Sequence, residues 1–306
     1  MKIRMKLKVI IPVILVMFCI CLITIFVFFR GNSEGPRAII LDNLGLYDKS
    51  LSGKDIMFVQ ETKELLEGIG VEVEYVGVKD VTLNFYRGLA KYNLVILRVH
   101  SGILVEGNKK IVCFFSSEEL SEKKFRDYSN WFEKKYLANA TLELPNGTKK
   151  SFIGVKPDFI RNCLNGEFEN SIIIAMGCNS LESYSMARAF VDDKKALVYM
   201  GWTRDVTADY TDNATLELLK RFFQKNQTVK EAIEIKRLRD PKTGAVLKYY
   251  PASAAELCPK EIIEQLLEKK SSFISDLIDS FSWVLLVTLS ASNWFDSCYR
   301  RFLRKF

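Results

Sequence analysis

Two short apolar runs constrain this fold more than any other feature: NLVILRVHSG at 93–102 and SIIIAMGCNS at 171–180. Each is rich in Val, Ile and Leu and lacks clean alternation, the pattern of strands buried on both faces of a parallel sheet. Each run also stops at a chemically capable residue, His100 in one and Cys178 in the other. In open parallel α/β sheets, ligands bind just beyond the carboxyl ends of the strands, so His100 and Cys178 are expected on one edge. His100 is the only histidine, so it is the one imidazole base available to a cysteine nucleophile.

The rest of the chain fits such a sheet. Arg37 to Asp42 reads as a first strand, Asp55 to Gly68 as an amphipathic helix, Val71 to Val76 as a second strand and Leu94 to Val99 as a third. A helix carrying Leu83, Tyr86 and Leu89 lies between the last two. Strand alternating with helix is the signature of a doubly wound α/β fold. Lys110 to Phe115 reads as a further strand, and Thr141 to Val155 as a hairpin turning at Pro145-Asn146-Gly147. Glu122 to Leu137 carries Phe125, Tyr128, Trp131, Phe132 and Tyr136 at helical spacing, which reads as the buried face of one helix. Ile172 to Ala175 and Ala196 to Gly201 are expected strands; Met186 to Val191, Asn213 to Lys225 and Thr228 to Arg239 are expected helices.

Val9 to Phe29 is an uncharged apolar run, long enough as a helix to cross a hydrocarbon core of about 30 Å. It ends Phe28-Phe29-Arg30 without a small-x-small exit, so it reads as an uncleaved signal anchor. Lys2, Arg4, Lys6 and Lys8 precede it, against Arg30 and Arg37 after it. This asymmetry puts the amino terminus in the cytoplasm and the body outside the cell membrane. The expected organisation is a basic stub and anchor over 1–30, an α/β domain over 31–260 and a helical tail over 261–306. The uncharged stretch from Ser280 to Phe295 in that tail is short for a crossing, and is read as interfacial or core-packed with a second crossing as the alternative.

The formal charge of +7 sits at the two ends: Lys2, Arg4, Lys6, Lys8 and Arg30 at one, and Arg300, Arg301, Arg304 and Lys305 at the other. Without these nine the body carries −2, so no basic surface argues for nucleic acid. The basic ends instead point to a lipid bilayer as partner. Of seven cysteines, Cys19 and Cys21 lie in the anchor. None of Cys113, Cys163, Cys178, Cys258 and Cys298 has metal-ligand spacing, so neither a metal nor a cofactor is expected. Sequons at Asn139, Asn146, Asn213 and Asn226 suit an exported glycoprotein, although Asn213 also reads as a helix cap.

A buried strand ending in His, a buried strand ending in Gly-Cys, then a strand ending Gly-Trp before an Asp-Val-Thr segment and a long helix resembles the caspase-like fold of clan CD cysteine peptidases. The likeness covers about residues 90 to 237 and is nearest to separases, CHAT domains and gingipain-like domains. Met176-Gly177-Cys178 resembles their nucleophile motif, LVYMGWTRDVTAD (197–209) the segment that follows it, and Met186 to Phe190 the short helix between. The resemblance implies a three-layer sandwich around a mostly parallel sheet, with His100 as base, Cys178 as nucleophile, and the Gly102 and Cys178 amides as oxyanion donors. Two positions depart from the family: Ser101 stands where Gly usually follows the His, and Asn179-Ser180-Leu181 where Ser-Gly or similar follows the Cys.

The family likeness also implies a peptide or protein substrate as partner, cleaved after Arg or Lys. Trp202 is then an expected apolar wall of the substrate pocket, and Asp205 or Asp209 its carboxylate. A second reading of those aspartates is local: Asp209 and Asp212 favour the amino end of the following helix, and Asp205 pairs with Arg204 or is solvated. The function expected is therefore a membrane-anchored extracytoplasmic cysteine endopeptidase. The alternatives are a catalytically silent caspase-like module that binds or scaffolds at the surface, and an unrelated α/β domain in which His100 and Cys178 are incidental.

Overall fold

The computed structural model describes residues 35–234, 238–275 and 278. The Val9–Phe29 and Ser280–Phe295 runs lie outside the described residues, as do Cys19, Cys21, Cys298 and positions 235–237 of the last expected helix. No helix among the described residues is long and apolar enough to cross a membrane. Pro36–Glu264 forms one compact unit; of the other, Gly35, 265–275 and 278 are described, and 265–275 is helical.

The body is an α/β fold around a six-stranded, mostly parallel sheet. Its strands are β1 (Arg37–Asp42), β2 (Glu72–Val76), β3 (Leu94–Arg98), β8 (Ile172–Ala175), β9 (Val198–Trp202) and β10 (Leu247–Tyr250). They lie side by side in the order β10-β9-β8-β3-β1-β2, all parallel except β10, which runs antiparallel to β9. The chain steps outward from β1 to β2, then returns across β1 to β3. That reversal makes the carboxyl ends of β1 and β3 a topological switch point.

Burial explains the strand composition. Every residue of β3, β8 and β9 is buried, and full burial of each Ile or Leu is worth roughly 1.5–3 kcal/mol. One face packs Ile39, Leu41, Val95, Leu97, Ile173 and Tyr199. They meet helices α2 (Leu83–Arg87), α5 (Pro157–Cys163) and α6 (Ser185–Arg188) through Tyr86, Phe159 and Met186. On the opposite face, Trp202 and Arg98 bond α7 (Ala208–Phe223), while Arg98 also lies 5.6 Å from the Phe58 ring of α1 (Met57–Glu67).

A second, antiparallel sheet grows from the end of β3, ordered β4 (Ser101–Glu106), β5 (Lys109–Glu119), β7 (Lys149–Val155), β6 (Leu137–Glu143). The expected hairpin is present as β6 and β7, with Gly147 at φ +78° in the turn, where a side chain is disfavoured. The single aromatic-faced helix expected over 122–137 is instead two short helices, α3 (Glu122–Asp127) and α4 (Ser129–Glu133). Its stripe is only partly covered: Phe125 is exposed, while Tyr128, Trp131, Phe132 and Tyr136 lean on the core. Helix α8 (Val229–Ile233) opens with a capping box between Thr228 and Glu231, which satisfies two amide donors at that end.

Candidate active site

At the switch point Asp42 and Arg98 are register partners, and the next residues on these strands form the site. Asn43 is fully buried. Its backbone N–H donates to the Arg98 oxygen at 3.1 Å, its Oδ1 accepts the His100 backbone N–H at 2.8 Å, and its Nδ2 donates to the Phe115 oxygen at 2.8 Å. The imidazole lies beside Tyr47 and Phe115, with ring centroids 6.2 and 6.1 Å away. Its Nε2 stands 3.3 Å from the Leu44 carbonyl oxygen. A carbonyl can only accept, so Nε2 carries the proton of the neutral ring and Nδ1 is left as the basic nitrogen. Burial pushes the His100 pKa down, with the Leu44 carbonyl and Asp42 opposing.

Cys178 follows β8, the strand next to β3. Between them, Gly177 has no room for a side chain: a Cβ there would stand 2.3 Å from both the Val99 oxygen and Ser101 Oγ. The Ser101 hydroxyl then donates to the Cys178 carbonyl oxygen at 2.6 Å. The residues on either side of His100 are thus packed onto the turn that carries Cys178, which brings the two to one sheet edge. They are not hydrogen-bonded to each other. The sulfur donates to the Val206 oxygen and accepts the Val206 N–H, both at 3.5 Å. Burial pushes the thiol pKa up, with the Val206 amide opposing and Asp205 adding to the rise. A protonated thiol and a neutral imidazole are therefore the resting states of the two groups at neutral pH.

The turn after Cys178 is fixed by its own polar residues. Asn179 takes a left-handed φ of +57°, donates its N–H to the Arg204 oxygen at 3.0 Å and its Nδ2 to Asp205 Oδ1 at 2.5 Å. Ser180 is buried, donates to the Ala175 oxygen and accepts the Trp202 N–H, both at 2.9 Å. An open cleft of about 530 Å³ adjoins this turn, lined by Asn179, Glu182, Thr203, Arg204, Asp205 and Thr243.

The remaining expected site residues fall differently. Among the described residues the Cys178 N–H meets no acceptor on another residue, as an oxyanion donor requires. Gly102 is opposite Cys113 in the β4–β5 ladder. Because Phe115 N–H donates to the His100 oxygen, ladder alternation makes Gly102 and Cys113 the next hydrogen-bonded pair, which commits the Gly102 amide to the sheet. Trp202 is not a pocket wall: it is fully buried, its Nε1 donates to Thr211 Oγ1 at 2.8 Å and its ring packs against Tyr210. Asp205 borders the cleft, whereas Asp209 lies in the first turn of α7, where it favours the helix dipole.

The 42–52 loop and its anchor were not expected. Arg98, nearly fully buried, donates to Asp42 at 2.9 Å, to the Leu51 oxygen at 2.6 Å and through two nitrogens to Asp212 at 2.8 and 2.7 Å. The polar Asp42-Asn43 pair after an otherwise apolar strand was its one visible signal. No cluster of three His, Cys, Asp or Glu among the described residues is arranged to hold a metal ion. No protein-family model matches the sequence, and no curated protein matches it either.

Proposed function

We propose that this chain is a caspase-like cysteine endopeptidase, anchored in the cell membrane by the Val9–Phe29 run with its body outside. One observation carries the peptidase reading: Nε2 of the only histidine is engaged by the Leu44 carbonyl, which leaves Nδ1 as a base at the sheet edge that also holds Cys178. The strand order, with five parallel strands and a last antiparallel one, and the antiparallel insert after the His strand support the caspase-like part.

In this mechanism the Cys178 thiol leaves Val206 and passes its proton to His100 Nδ1. The thiolate adds to the peptide carbonyl carbon, and the Cys178 N–H donates to the resulting oxyanion. As the carbon–nitrogen bond breaks, the imidazolium returns the proton to the departing amine. Water, deprotonated by His100, then hydrolyses the thioester and regenerates the thiol. Asp205, at the cleft beside the nucleophile, is the carboxylate proposed to select Arg or Lys before the scissile bond.

A second reading is a silent binding module, favoured by the thiol's double contact with Val206 and by the commitment of the Gly102 amide to the ladder. A thiol-directed acyloxymethyl ketone peptide decides between them. Covalent labelling of Cys178 in the full chain that disappears in His100→Ala supports the peptidase. Absence of labelling, or labelling that persists without His100, supports the silent module.

A further inference from the structure

Beside His100 one hydrogen bond of the β4–β5 ladder is replaced by a side chain. In a hydrogen-bonded antiparallel pair each residue donates to the other's carbonyl. Phe115 N–H does donate to the His100 oxygen, at 2.9 Å. The return bond is absent, because the His100 N–H goes to Asn43 Oδ1 and Asn43 Nδ2 goes to the Phe115 oxygen, each at 2.8 Å. The primary amide of Asn43 is thus inserted between the strands as a surrogate peptide group.

The chemistry restricts what can stand there. The position needs an acceptor and a donor on one planar, uncharged group, which the primary amides of Asn and Gln provide. Gln is one methylene longer, and the site is sealed: Asn43 has no exposed surface. Asp offers the acceptor without the donor, and sets an oxygen against the Phe115 carbonyl. Asn43 is itself held, since its N–H donates to the Arg98 oxygen and the preceding Asp42 is paired to the Arg98 side chain. The next residue, Leu44, supplies the carbonyl that meets the His100 ring. Two consecutive residues therefore hold His100, one by its backbone and the other by its imidazole.

We propose that Asn43 is a positioning residue for the His100 base: by drawing the His100 N–H out of the ladder onto its own side chain it keeps Nε2 at the Leu44 carbonyl, and so keeps Nδ1 unprotonated for the Cys178 proton. The role rests on the Cys-His reading of the site. It acts through His100, and Asn43 itself touches neither substrate nor nucleophile.

The single histidine makes the test direct. In the full chain in detergent micelles, with histidine labelled with ¹⁵N, the ring gives one pair of nitrogen signals whose shifts report the tautomer. The wild type is expected to be Nε2–H. Asn43→Ala is expected to mix the tautomers and to slow iodoacetamide alkylation of Cys178, followed by peptide mass, by about tenfold or more, with Cys163 alkylation unchanged as the internal reference. A wild-type ring that is Nδ1–H overturns the proposal, as does Asn43→Ala with the wild-type tautomer and rate. Should Asn43→Ala not fold, Asn43→Asp takes its place, with a mixed ring and slowed alkylation in support and wild-type values against. Equal Cys178 alkylation in His100→Ala and wild type counts against the Cys-His reading alone, and the ring spectrum still decides the hold of Asn43 on His100.

Discussion

The hydroxyl of Ser101 donates to the carbonyl oxygen of Cys178 at 2.6 Å. That bond ties the residue after the candidate base to the candidate nucleophile, and it gives a chemical role to a position where the resembling family carries Gly. Its partner in the same contact is Gly177, packed against the Val99 carbonyl and Ser101.

Gly177→Ala is therefore expected to be the more damaging change. The new methyl meets a backbone oxygen at 2.3 Å, which no rotamer relieves, and overpacking of this kind costs about 1–3 kcal/mol or more. Ser101→Ala removes one neutral hydrogen bond, worth about 1 kcal/mol. Urea denaturation of both variants checks the order, and a smaller loss in Gly177→Ala than in Ser101→Ala contradicts the packing described.

Stability is expected to fall with acid in a window set by His100. Burial holds the folded-state pKa below its ordinary 6.5, so the unfolded chain takes up the proton first as pH drops. The stability associated with the neutral buried ring is complete above pH 6.5 and is lost as pH falls through the lower folded value. With only one histidine in the chain, His100→Gln removes the whole contribution. Melting temperatures measured from about pH 7.5 to 4.5 should fall more steeply in the wild type than in this variant. Parallel curves contradict the direction of the shift.

Some of this architecture is legible in the sequence and some is not, for physical reasons. Strands β3 and β8 are readable because sheet and helices bury every side chain, so composition alone identifies them. Strands β4 and β10 are not, since Ser101–Glu106 has no fully buried residue and Leu247–Tyr250 only one. Helix α7 starts at Ala208, five residues before the expected Asn213. The polar ADYTD segment reads as a loop until Thr211 is seen bonding the Met176 oxygen and Trp202. His100 and Cys178 stand out because each closes an apolar run of the sequence. Asn43, Leu44 and Val206 do not, because their contributions come from contacts 28 to 57 positions away.

Removing the cation at the switch point should be costly. Arg98 serves Asp42, Asp212 and the Leu51 carbonyl while almost wholly buried, and Arg98→Leu leaves two carboxylates facing an apolar side chain. Breaking a buried pair from one side costs about 3–5 kcal/mol. Adding Asp212→Asn should restore part of that loss, because it removes one unpaired charge. Denaturation of the single and double variants tests this, and a double variant less stable than Arg98→Leu refutes it.

Substrate preference gives the sharpest separation between Asp205 and Trp202. Asp205 borders the cleft and accepts from Asn179, the residue directly after the nucleophile, so its carboxylate is in place to meet a cationic side chain entering there. A guanidinium engages a carboxylate through two charge-assisted hydrogen bonds, an ammonium through one point charge. On the proposed function, fluorogenic peptides varied only before the scissile bond should be cut fastest with Arg, and Asp205→Asn should abolish most of that preference. Trp202 is sealed in the core with its indole N–H on Thr211. Trp202→Phe should consequently lower stability, by leaving Thr211 without that donor and opening a gap in the packing, at about 1–3 kcal/mol, with the substrate ranking unchanged. A ranking altered by Trp202→Phe but not by Asp205→Asn would reverse the assignment. Faster cleavage of peptides with Asp or Glu at the varied position would point to Arg204, on the same cleft, as the recognition residue.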